Sequence, residues 1–108
     1  MEIKRVTVKE AVDLLKNNTN IKILDTRTFA EVRSTGFIKG SMLLDTSLPN
    51  LEEEILKLDR HESYLLYWAR GKRAFAVSEF MIRNGFTNLY SLWDAGYSEL
   101  ALALKEQE

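Results

Sequence analysis

The chain contains no cysteine. That excludes disulfides, thiolate metal sites and any thiol nucleophile. Its one histidine, His61, leaves little material for a histidine metal site or a histidine-based triad. The single proline, Pro49, sits in a polar connection and marks no domain boundary. No apolar run is long enough to span a bilayer and no secretory n-region is visible, so the cytoplasm is the expected location. Neither sign of charge dominates: 15 Lys and Arg face 16 Asp and Glu, for a net charge of −1. That balance argues against nucleic acid or a membrane as partner.

What is present reads as one α/β domain over residues 1–108, long enough for a single core. Strand and helix patterns alternate along the chain. Strands are expected at Ile3–Val6, Ile21–Leu24, Met42–Leu44, Tyr64–Trp68 and Leu89–Leu92. Thr7 with Glu10, and Thr28 with Glu31, have the spacing of capping boxes and should open two helices. Leu51, Ile55 and Leu58 predict an amphipathic helix with Glu52–Glu54 on or near its solvated side. A helix over about 72–84 should pack inward through Val77, Phe80 and Met81 and stop at Asn84-Gly85. Tyr97, Leu100, Ala101 and Leu104 describe the last helix. Such alternation implies a mainly parallel sheet with helices on both faces, with ligands gathering at the carboxyl ends of the strands.

The most informative stretch runs from Tyr64 to Ala74. A buried strand leads into a short basic loop with one glycine, Trp68-Ala69-Arg70-Gly71-Lys72-Arg73, and a helix follows. This order aims backbone N–H groups and positive side chains at one point, as anion sites do.

The stretch resembles the active-site segment of rhodanese-like sulfurtransferases, where a strand ends in C-R-x-G-x-R before a helix. Gly71 and Arg73 match the glycine and last arginine of that pattern. Four further segments follow in the family's order: Asp25, Arg27 and Glu31; Gly36-Phe37-Ile38-Lys39-Gly40-Ser41; Asn84-Gly85-Phe86; and Trp93-Asp94-Ala95-Gly96-Tyr97. The resemblance implies a three-layer α/β/α fold. It also implies that Asp25, Arg27 and Glu31 are structural polar anchors rather than catalytic groups. The departures fall where the chemistry would be. Trp68 replaces the catalytic cysteine, Ala69 the next arginine, and Phe37 the histidine of G-H-I. The expectation is a rhodanese-like domain with no catalytic residue, metal or cofactor, binding a protein partner or a small anion. The alternative is a single-domain sulfurtransferase by family membership, inactive or altered in this chain. The expected binding face comprises Trp68, Ala69, Arg70, Gly71, Lys72 and Arg73, with Phe37 at the same mouth. Two readings of Trp68 stand side by side: an exposed anchor for a partner, or a side chain that fills the old pocket.

Overall fold

A computed structural model describes residues 3–18, 20–69 and 73–106, the side chain of Arg73 excepted. Five strands, β1 (Ile3–Val6), β2 (Ile21–Asp25), β3 (Ser41–Leu43), β4 (Ser63–Tyr67) and β5 (Asn88–Leu92), form one sheet in the order β1-β5-β4-β2-β3. Every pairing is parallel. The interior position of β4 follows from its sequence: Tyr64, Leu65, Leu66 and Tyr67 are all buried, which requires cover on both faces.

The helices supply that cover. α1 (Val8–Asn17) and α5 (Tyr97–Glu106) pack on one face over Val6, Ile21, Leu65, Tyr67 and Leu92. On the other face, α3 (Leu51–Leu56) and α4 (Arg73–Arg83) pack over Leu24, Tyr64, Leu66 and Leu89. α2 (Phe29–Thr35) follows β2 at the carboxyl end of the sheet. No helix of the described residues is long and apolar enough to cross a membrane.

Local chemistry sets the helix ends. Both capping boxes form: the Thr7 and Thr28 hydroxyls accept from the Glu10 and Glu31 N–H groups, and each glutamate reaches back to its threonine N–H. α4 stops because Gly85 takes φ +94°, which only glycine adopts without strain. The Phe86 N–H then reaches Met81 O at 3.1 Å and Gly85 N–H reaches Ile82 O at 3.2 Å, closing the orphan carbonyls of the last turn. Phe86 itself is buried against this end.

Several boundaries differ from the sequence reading. β2 runs on to Asp25, β5 begins at Asn88, β3 lies one residue earlier than Met42–Leu44, α3 ends before Leu58, and β4 begins at Ser63 and stops at Tyr67. The last has a clear cause. Trp68 O accepts from the Tyr97 N–H at 2.8 Å, so the chain leaves the sheet to meet the start of α5.

Candidate functional site

The site is built at the carboxyl ends of β2 and β4. Asp25 closes β2 and Tyr67 closes β4, and the two are partners in register. The Tyr67 hydroxyl donates to Asp25 Oδ2 at 2.6 Å. Arg27 folds back on the same carboxylate: Nε lies 2.9 and 3.1 Å from its two oxygens, and Nη2 lies 2.6 Å from Oδ2. The remaining reach of the guanidinium goes to Thr35 Oγ1 at 2.6 Å and Gly36 O at 2.7 Å. The Tyr97 ring covers its face at 3.9 Å. Arg27 is 2% exposed and Asp25 1% exposed. A pair this deep is tolerable only because almost every polar atom is matched.

The electrostatics follow from that enclosure. Burial lowers the proton affinity of Arg27, but the hydrogen bonds and charge of Asp25 outweigh it, and the net shift is upward. Burial, followed by the hydrogen bond to Asp25 and its charge, pushes the Tyr67 phenol well above the ordinary tyrosine range. Tyr67 therefore stays neutral and donates. Glu31 serves a separate purpose, as the partner of Thr28 at the start of α2. Together these residues tie β2, β4, α2 and the 35–36 turn into one corner.

A second clamp holds the base of the loop. Gly96 is buried, and a Cβ placed there would lie 2.1 Å from Ala69 O and 2.6 Å from Trp68 O. Only glycine lets the two backbones approach this closely. Its N–H donates to Glu99 Oε1 at 2.9 Å and its carbonyl accepts from Leu100, so the same residue opens α5. The Tyr97 hydroxyl reaches Thr35 O at 3.1 Å, joining this clamp to the Arg27 corner. Gly96 and Tyr97 were legible in sequence only as part of a family-like segment and as packing. Tyr67 read only as a buried strand residue; its hydroxyl's role required the register of β2 against β4.

Trp68 is half-buried and packs against the core shared by α3 and α4. Ala69 borders a hollow of about 330 Å³ whose other walls include Arg27, Thr35, Tyr97 and Ser98. Arg70, Gly71 and Lys72 lie outside the described residues; Arg73 opens α4. Phe37 is not brought to this mouth. It is 63% exposed and lines a groove on the α1/α5 face with Ile38, Lys39 and Leu104. The turn after α2 carries it to the opposite side of the sheet from Trp68.

Comparison with other proteins agrees with this geometry. A rhodanese-like domain protein from Staphylococcus aureus superposes with a TM-score of 0.74 at 23% identity, over 90% of each chain. A rhodanese-related protein from Thermoplasma volcanium gives a TM-score of 0.71 at 23% identity, over 96% of this chain and 92% of its own. A polysulfide-sulfur transferase homodimer from Wolinella succinogenes gives 0.70 at 22% identity, over 94% of this chain and 74% of its own. No curated protein matches the sequence. The sequence model of the rhodanese-like domain matches residues 7–103, which take in β2 to β5 and the helices up to the last turn of α5, and on that match this cysteine-free chain belongs to the rhodanese-like domain family.

Proposed function

We infer that this chain is a non-catalytic rhodanese-like domain, a cytoplasmic pseudoenzyme that serves as a protein-interaction module through the Trp68–Arg73 loop. Trp68 carries the reading. It stands where the family's cysteine is expected, in a chain with no thiol anywhere. Sulfur transfer requires a thiolate to attack a donor and hold a persulfide, and an indole does neither. Ala69 removes the neighbouring positive charge as well.

A protein partner is favoured over a small anion for a second reason. Among the described residues, the hollow beside Ala69 has one cation in its lining, Arg27, and that guanidinium is already engaged by Asp25, Thr35 and Gly36. An anion would depend on Arg70, Lys72 and Arg73 alone. An aromatic side chain beside arginines suits a protein interface.

A thiosulfate–cyanide assay on the folded protein tests the first half of the reading. The expected outcome is turnover at background; a rate matching an active family member would overturn it. Trp68→Cys should restore little, because Ala69 still stands in the arginine's place. Titration with sulfate and thiosulfate, followed by amide shifts in the loop, tests the second half. Saturable shifts confined to the loop would establish the small-anion reading instead.

A further inference from the structure

The described residues leave six large apolar side chains well exposed, and three of them meet at one place. Phe29 (59% exposed), Met42 (48%) and Leu48 (47%) surround a groove of about 430 Å³ beside edge strand β3. Its floor includes Leu44, which is buried in the α3/α4 core, together with the partly buried Leu51 and Leu58. Met42 faces this side because it is in register with Leu24, a residue of the same core. Yet no helix covers it. β3 is the last strand of the sheet, and α3 begins only after the 44–50 connection.

Among the described residues, the charged groups that line the groove are both acidic, Asp45 and Glu54. Glu52 and Glu53 project from the same short helix and are exposed, without an ion pair among the described residues. Lys57 lies 2.6 Å from Glu54 and offsets its charge. Asp45 stays ionised: the Ser47 hydroxyl, then the N–H groups of Ser47 and Phe29, hold its carboxyl below the usual carboxylate range against a modest opposing effect of burial. Two carboxylates thus border the apolar trough, Glu54 paired with Lys57, and Glu52 and Glu53 add exposed negative charge elsewhere on the same helix.

We propose that this groove is a docking site for a basic, amphipathic segment of another protein, which buries two or three aliphatic or aromatic side chains between Phe29, Met42 and Leu48 and sets its lysines or arginines against Asp45 and Glu54. Contiguous apolar surface with a polar rim is the usual form of such a site. The sign of the rim selects a basic partner and disfavours an acidic one. None of the described residues of the Trp68–Arg73 loop lines the groove, and the inference holds whether or not that loop binds anything.

Two synthetic peptides with the same leucine pattern serve as probes, one with lysine and one with glutamate at every polar position. Binding is read by NMR shifts of the Met42 methyl and the Phe29 amide. The lysine peptide should give saturable shifts centred on Phe29, Met42 and Leu48, weakening as salt rises, while the glutamate peptide gives none. Met42→Lys should weaken the lysine peptide at least tenfold. It sits on an edge strand, where lysine is well tolerated. Glu54→Lys should also weaken it several-fold, leaving the apolar side chains intact, and Leu102→Ser, at an exposed position away from the groove, should change nothing. Equal binding of both peptides, shifts centred elsewhere, no shifts at millimolar peptide, or concentration-dependent shifts of the groove without any peptide would each overturn the proposal. The last result would identify a second copy of this chain as the occupant.

Discussion

Two regions meet at the carboxyl end of the sheet and differ sharply in how their polar groups are used. In the Asp25–Arg27–Tyr67 corner, a buried carboxylate, guanidinium and phenol are almost fully matched, and the Tyr97 ring closes the assembly. In the adjoining loop the reactive position carries Trp68, which packs on apolar core, and Ala69, which borders an open hollow. The corner is matched within itself, whereas position 68 carries an indole in a chain with no thiol. The difference teaches that the anchors serve the fold. They hold β2, β4 and α2 together through bonds among Asp25, Arg27, Thr35, Gly36 and Tyr67.

The strongest way to break the comparison is at the corner. Arg27→Ala leaves Asp25 buried without its cation, and the loss should be about 3–5 kcal/mol in a denaturant melt. Arg27→Lys should recover only part of it, because an ammonium does not reproduce the forked contacts to Asp25, Thr35 and Gly36. If Arg27→Ala melts like the parent, the corner is not the anchor described here.

On the loop side, Trp68→Ala should cost about 3 kcal/mol, since a half-buried indole leaves a gap against the α3/α4 core. A denaturant melt gives the stability. A melt unchanged within experimental error would make Trp68 an exposed anchor rather than part of the packing.

Gly96→Ala sharpens the boundary between the two regions. A methyl 2.1 Å from Ala69 O forces backbone to move, at a cost of about 2 kcal/mol or more. The amide shifts of Ala69 and Tyr97 should change while those around Thr28 stay in place. Shifts spreading equally into α2 would mean that loop and corner form one unit.

The smallest effect near neutral pH belongs to Tyr67. Its folded-state pKa is raised, so its contribution is complete below the unfolded tyrosine value of about 10 and declines as pH rises above that. Stability measured against pH should therefore fall on the alkaline side. Tyr67→Phe should remove that part of the slope, with an added constant loss from the missing bond to Asp25. An unchanged alkaline slope in Tyr67→Phe would assign it to other groups.

Much of this was legible from local pattern. The Thr-x-x-Glu spacings marked both capping boxes because a cap is satisfied within four residues. The unbroken apolar run at Tyr64–Tyr67 marked an interior strand because only a strand covered on both faces buries consecutive side chains. Asn84-Gly85 marked the end of α4 because the left-handed turn there needs glycine. The family-like positions of Asp25, Arg27 and Glu31 grouped these residues, and the distances pair Asp25 with Arg27 and Glu31 with Thr28. What stayed hidden depended on contacts between distant segments. β4 ends at Tyr67 because Tyr97, 30 residues later in the chain, takes the Trp68 carbonyl. Phe37 lies away from Trp68 because the path of the 36–40 turn, not its place in a motif, decides which side of the sheet it reaches. The apolar groove beside β3 exists because no helix happens to lie over Met42.

The sequence by itself determined the alternation of strands and helices, their caps and the absence of a thiol, since each of these rests on neighbouring residues or on composition. Only the tertiary structure decided which groups meet: Tyr67 with Asp25, Tyr97 over Arg27, and Gly96 against Ala69. Those meetings arise from parallel register and close backbone approach, and neither leaves a mark in any short stretch of chain.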